Sequence, residues 1–248
     1  MLLVRHGTTP TTGQVLPGRA RGLHLADSGR AQAEAIADRL AAWASASAAT
    51  RRPRTAPART APAGAAPAGA TNRSTPAVNR AKAGSRGGPA PVSAIYASPL
   101  ERTRETAAPI AKALDLKVVV HRGLLECDFG TWTGAALTDL AKLPEWTTVQ
   151  RYPSGFRFPD GESFTAMQAR MVDTINSLCY HHRGETVVAV SHADPIKAAV
   201  ADAMGSHLDL FQRIVISPCS VTAISYAPTG PTVLAVNSTG SLADLRPS

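Results

Sequence analysis

The apolar positions of the 248-residue chain follow two rhythms that alternate along it. Short apolar runs occur at Leu2–Arg5, Val92–Ala97, Leu116–Val120 and Thr186–Val190. Runs of this length, rich in β-branched residues, read as buried strands. Between them the spacing becomes that of amphipathic helices. Ala33, Ile36, Ala37, Leu40 and Trp43 share one face of a helix over about 28–46, capped by Asp27 or Ser28. Phe164, Met167, Met171, Ile175 and Leu178 form the stripe of another helix, opened by Gly161-Glu-Ser-Phe and running to about Tyr180. Ser98, Pro99 and Glu101 have the form of a capping box with proline at the first helical position, so a helix is expected to start straight after the second strand. Asp194-Pro195 is expected to cap a further helix, ended by Gly205. Residues 8–26 and 135–160 read as loop and short helical turns. Ser220–Tyr226 and Thr232–Asn237, around Pro228-Thr-Gly-Pro231, read as a hairpin closing the sheet. Strands alternating with helices predict an α/β fold, a three-layer α/β/α sandwich with a mostly parallel central sheet.

One stretch follows neither rhythm. From about Thr50 to Pro91 the chain is Ala, Pro, Arg, Thr and Gly, with Val78 its only large aliphatic residue. Such a composition cannot bury enough apolar surface to offset the entropy of ordering. It is expected to be a disordered insertion in a surface loop of a single domain spanning 1–248. The insertion also explains the charge. The net charge is +8, and between Ala44 and Tyr96 there are eight cationic side chains and no Asp or Glu, so the rest of the chain is formally neutral. No nucleic-acid partner is expected from a charge confined to a low-complexity segment. The three cysteines, Cys127, Cys179 and Cys219, lack CxxC or zinc-finger spacing, which argues against a disulfide scaffold. No signal-peptide pattern and no long apolar run is present, so no membrane span is expected and a cytoplasmic protein is the default.

The candidate chemistry lies where strands end. His6 closes the first strand, between Arg5 and Gly7, and His192 closes the fourth, after Ser191. Arg102 falls in the first turn of the helix that follows the second strand, and Glu126 lies on the loop after the third, with Asp128 close by. In a parallel sheet, ligands bind at the carboxyl edge, so one fold rule brings these residues together. Each alone has a bland reading: a structural histidine, an arginine paired with Glu101 or Glu105, a loop-capping carboxylate. Two histidines, two arginines and a carboxylic acid at one edge suit phosphoryl transfer, which is mostly positioning and charge stabilisation.

At these residues the chain resembles the histidine phosphatase superfamily, which includes the cofactor-dependent phosphoglycerate mutases. The resemblance covers nearly everything outside 48–91 and rests on Arg5-His6-Gly7, Ser98-Pro-Leu-Glu-Arg102, Leu124-x-Glu126-x-x-x-Gly130 with Trp132, Gly161-Glu-Ser163 and Ser191-His192. Leu25, Gly29 and Gln32 fit the first-helix pattern, and Phe158–Ser163, His192–Lys197 and His207–Ile214 are most similar to an actinobacterial phosphomutase-like branch. The resemblance implies a phosphoglycerate mutase-like fold. It implies His6 as nucleophile, Glu126 as proton donor and then base, and Arg5, Arg102 and His192 as phosphate ligands, with no metal or other cofactor. The chain departs from the family pattern at Thr8, where many members carry Glu, at Ala26 and Ala193, and at Thr12, which stands where an asparagine commonly assists phosphate binding.

Rival readings fail on spacing: no GxxxxGK[ST], no GxG, and no cysteine followed six positions later by arginine. Three functions stay open: a phosphomonoester hydrolase acting on a small phosphorylated metabolite, a phosphomutase sharing its phosphoenzyme, and a non-enzymatic phosphate-binding module. The short segment between Glu126 and Gly161, with Lys142, Arg151 and Arg157 as its candidate substrate cations, favours the hydrolase. The oligomeric state is open, a homodimer included. Deleting residues 50–91 is expected to leave kcat within about twofold of the intact chain, because insertions in surface loops lie outside the site; phosphate-release assays on both proteins check this.

Overall fold

The computed structural model describes residues 1–51 and 90–240. The expected insertion at 50–91 therefore lies almost wholly outside the described residues. Six strands, β1 (Leu2–Arg5), β2 (Val92–Ala97), β3 (Val118–Val120), β4 (Thr186–Ser191), β5 (Val221–Ala227) and β6 (Gly230–Ser238), form one sheet in the order β3-β2-β4-β1-β5-β6. β1, β2, β3 and β4 pair in parallel, and the β5–β6 hairpin adds the antiparallel pairs. The helices are α1 (Asp27–Arg51), α2 (Glu101–Leu114), α3 (Leu137–Leu140), α4 (Pro144–Arg151), α5 (Phe164–His181) and α6 (Ala193–Ala203).

The alternation of strand side chains builds the three layers. Leu2 and Val4 of β1 pack with Val188 and Val190 of β4 against α1 and α2, through Ile36, Leu40 and Ile110. The intervening Leu3 and Ala189 face Met171 and Ile175 of α5 and Ile196 of α6. A third cluster, Phe129, Phe156, Phe158, Phe164 and Phe211 with their neighbours, stands beyond the carboxyl edge of the sheet and holds the loops there.

Three expected boundaries are corrected. The third strand begins at Val118, not Leu116, because the Leu116 amide closes the end of α2 on the Ala111 carbonyl at 3.0 Å. Ser98 does not cap α2: the N-cap is Leu100, with no side-chain cap bond. The Ser98 amide instead continues the strand ladder to the Val190 carbonyl at 3.0 Å, and its hydroxyl bonds His192. Asp194 does not cap α6 either, since that helix starts at Ala193 with His192 as N-cap, leaving Asp194 in the first turn beside Lys197.

The loop after β1 is pressed onto the start of α1 with no room for a side chain. A Cβ on Gly7 would lie 2.5 Å from the Gly29 carbonyl oxygen, and one on Gly29 would overlap the Thr8 carbonyl oxygen. Alanine normally stabilises a helical glycine site by about 0.5–1 kcal/mol. Here the steric conflict outweighs that gain, so Gly29→Ala is expected to lower stability by about 2 kcal/mol or more in urea denaturation.

Candidate active site

Strand register assembles the site. β4 lies between β2 and β1 in the sheet, so Ser98, His192 and His6 follow three adjacent parallel strands. Arg5 is opposite Ser191, and Ala97 opposite Val190, which sets His6 level with His192 and Ser98 one residue short of them. The His6 amide donates to the Ser191 carbonyl at 3.0 Å. The two imidazoles meet edge to face with centroids 5.2 Å apart. His6 is buried, and its Nδ1 lies 2.7 Å from the Gly7 carbonyl oxygen. That oxygen can only accept, so Nδ1 carries the proton and Nε2 keeps its lone pair. Arg102 Nε donates to Nε2 at 3.3 Å. Burial first, then Arg102 and Arg5, holds the His6 imidazole well below its ordinary value, so it is neutral near pH 7.

Among the described residues, the polar groups around His6 are only partly paired. Arg102 has no exposed surface. It reaches the Gly18 carbonyl with Nη2 at 2.7 Å, while its Nη1 has no partner. Arg5 donates to the Ile216 carbonyl through Nη1 at 2.6 Å, and its buried Nε is unpartnered. His192 is fully buried, with Nε2 2.9 Å from Ser98 Oγ and Nδ1 unpartnered. Burial lowers both guanidinium pKa values and that of His192. The guanidinium groups stay charged at any physiological pH. Buried donors without partners are uncommon in folded proteins. Arg102 Nε lies against His6 Nε2 and the His192 ring packs on the His6 ring, so these groups gather around one imidazole; Arg5 and His6 are among the cleft residues, and Arg102 and His192 are not.

Arg5, His6 and Glu126 form part of the lining of a cleft of about 430 Å³. Burial, then the charge of Asp194, pushes the Glu126 carboxyl up to about 7, against the Cys127 amide and the two arginines. Two arginines fix its backbone. Arg19 Nε donates to the Glu126 carbonyl at 2.9 Å, and Arg170 donates to the carbonyls of Gly123 at 2.7 Å and Leu125 at 2.9 Å. Glu162 ties Arg170 and Arg19 together. Asp128 takes the bland role, bonding Arg19 and the Gly130 amide. Thr12 lines the cleft, but its hydroxyl accepts from the Thr9 amide at 2.8 Å and so serves the turn. Gln32 holds the Thr8 amide at 2.9 Å.

Sequence reasoning missed Ser98 as the partner of His192, and the braces Arg19 and Arg170. The capping pattern at Ser98 concealed its second use. Arg170 lies off the apolar stripe of α5 and Arg19 in an aperiodic loop, so no periodic signal marked either. Among the described residues no group of three or more His, Cys, Asp or Glu side chains could hold a metal ion, and no helix is long and apolar enough to cross a membrane.

An α/β fold with two histidines and two arginines gathered at the carboxyl edge of its sheet has counterparts among known proteins. The model of the histidine phosphatase superfamily (branch 1) matches residues 1–69 and 78–239, and the chain belongs to that superfamily. It is 34% identical over 159 residues to a bifunctional protein of Mycobacterium tuberculosis, covering 63% of this chain and 43% of that one. The chain thus spans less than half the length of that relative. It is 29% identical over 160 residues to phosphoserine phosphatase 1 of Hydrogenobacter thermophilus, covering 60% of this chain and 72% of that one. The fold matches a phosphoserine phosphatase mutant of Entamoeba histolytica solved with phosphoserine, at a TM-score of 0.71 and 21% identity, covering 97% and 98% of the two chains.

The raised carboxyl has a consequence for stability. Between about 4.5 and about 7 the folded protein keeps a proton on Glu126 that the unfolded chain has lost, so this group's contribution to stability falls as pH rises through that window. Glu126→Gln removes the effect while keeping an acceptor for the Cys127 amide. Relative to wild type, it is expected to gain about 2 kcal/mol between about pH 5 and about pH 8 in denaturant titrations.

Proposed function

We propose that this protein is a metal-independent phosphomonoester hydrolase acting through a phosphohistidine at His6. The observation that carries the reading is the set of buried nitrogens without a partner among the described residues, Arg5 Nε, Arg102 Nη1 and His192 Nδ1, around a neutral imidazole; Nδ1 is an N–H donor when the Ser98 hydroxyl donates to His192 Nε2. Such a set lacks only the phosphoryl oxygens that would complete it. The His6 Nε2 lone pair attacks phosphorus, and the bond to the ester oxygen breaks. Arg5, Arg102 and His192 bind the three equatorial oxygens as charge shifts onto them. Glu126, protonated up to about pH 7, gives its proton to the leaving alcohol. The resulting carboxylate then takes a proton from water, the hydroxyl attacks phosphorus, and the N–P bond breaks to release inorganic phosphate and neutral His6.

A phosphomutase could share the first half of this cycle, and relatives include proteins named phosphoglycerate mutases. A mutase must hold its substrate for a second transfer, which calls for cations around the cleft. The expected ones are employed or directed elsewhere: Lys142 pairs with Asp139, Arg157 donates to the Gly161 carbonyl, and neither these nor Arg151 is among the cleft residues. This supports the hydrolase.

His6→Ala is expected to lower phosphate release at least about 1,000-fold and to abolish an acid-labile phosphoenzyme, with an unchanged circular-dichroism spectrum. Wild-type activity is expected to persist in chelator and to decline above about pH 7, as Glu126 loses its proton. A folded His6→Ala protein that still turned over would remove His6 from the nucleophilic role.

A further inference from the structure

The phosphate end occupies only the floor of the cleft. Above it the walls are mainly apolar, with Leu16, Phe129, Leu137, Trp146, Val149 and Ile214 among them. All of these but Leu137 belong to or pack against the aromatic cluster beyond the sheet edge, where Trp132 packs against Trp146, Phe156 and Phe158, and Leu137 opens the short α3 beside it. They form a fixed surface, not a loose rim. Apart from Arg5, Lys197 is the one cation among the described residues lining the cleft. It is not free. Its Nζ donates to Asp194 Oδ1 at 3.3 Å and Gln212 Oε1 at 3.0 Å and sits 5.7 Å from the Phe211 ring centroid. Lys197 and Asp194 side chains are only 17% and 18% exposed, so neither can turn to water cheaply. A carboxylate entering beside the phosphate would face the Asp194 carboxylate and find Lys197 already paired with it. An uncharged apolar group would remove wall surface from water with no such opposition.

We propose that this cleft selects phosphomonoesters of bulky, uncharged, apolar alcohols and discriminates against those carrying a carboxylate, through the Trp146 and Leu137 wall and the closed Asp194–Lys197 pair. The proposal rests on reading the floor as a phosphomonoesterase site. It sets this chain apart from relatives and structural neighbours named for phosphoserine.

The test is kcat/KM for phosphate release from 2-phenylethyl phosphate, ethyl phosphate, phosphoserine and 3-phosphoglycerate, by the full chain and its variants. The first three leaving groups are primary alcohols and the fourth is also aliphatic with a primary phosphate ester, so intrinsic reactivity varies little. Wild type is expected to favour 2-phenylethyl phosphate over ethyl phosphate, phosphoserine and 3-phosphoglycerate by about 10-fold or more. Trp146→Ala is expected to cut the phenylethyl-to-ethyl ratio about 10-fold, chiefly through KM. Leu137→Ala, a smaller lesion, moves the same ratio about 3-fold in the same direction and serves where Trp146→Ala does not fold. Asp194→Asn releases Lys197 and is expected to raise the ratio of 3-phosphoglycerate to 2-phenylethyl phosphate about 10-fold. Faster wild-type turnover of phosphoserine or 3-phosphoglycerate than of 2-phenylethyl phosphate would overturn the substrate class and leave the hydrolase reading standing. No phosphate from any ester and no phosphoenzyme would overturn both.

Discussion

A guanidinium removed from water without a carboxylate is among the costliest groups a fold can bury. Arg102 is such a group, with no exposed surface and one terminal nitrogen unbonded. Much of the structure near the sheet edge serves to hold it there. The Gly18 carbonyl takes one of its N–H groups, and His6 Nε2 takes another. The helix carrying it is tied to the loop after β1, since the Thr106 hydroxyl accepts from the Gly7 amide and donates back to the Arg102 carbonyl. Burial first, and then the same positive surroundings, keeps His6 neutral, which is the state in which its Nε2 lone pair exists. Burial therefore does two things at once: it leaves an Arg102 nitrogen without a partner among the described residues, and it holds the neighbouring imidazole neutral.

The strands that end at this edge were legible because parallel strands buried on both faces are uniformly apolar, and the first polar residue after each run marks where it stops. His6, His192, Arg102 and Glu126 could be brought together from sequence on that basis alone. The resemblance to a family added roles. What failed was local and has one kind of cause: a short polar side chain has several good uses. Ser98 satisfies every sequence criterion for a helix cap, yet its hydroxyl is worth more beside the buried His192 nitrogen. Asp194 fits a cap equally well and instead answers Lys197 within the helix. Asp128 resembles a second acid by composition, but sits on a loop amide and Arg19.

The cleft wall was not legible at all. Residues 129–158 carry aromatic side chains without a helical or strand period, so their convergence on one cluster follows from the tertiary path of loops. The braces on the Glu126 loop are hidden for a similar reason. Arg170 and Arg19 act on backbone carbonyls, which every residue has, so no side-chain pattern reports the contact. These are the features that position the acid, and they come from segments that sequence periodicity describes least.

Asp194 links the two ends of the cleft. Its charge is the largest influence after burial in raising the Glu126 carboxyl to about 7, and the same carboxylate neutralises Lys197. An acid poised near neutrality and a cleft with no cation to spare are thus two results of one side chain. Evolution toward a carboxylate-bearing substrate could not free Lys197 by deleting Asp194 without also letting the Glu126 pKa fall, which would leave less of the acid protonated at pH 7. A route that keeps the acid poised must add a cation elsewhere on the wall. Gln150 lines the cleft with a neutral side chain of nearly lysine length and takes no part in holding Lys197, whereas Gln212 does, so Gln150 is a position at which the wall can gain a cation without disturbing the Asp194–Lys197 pair.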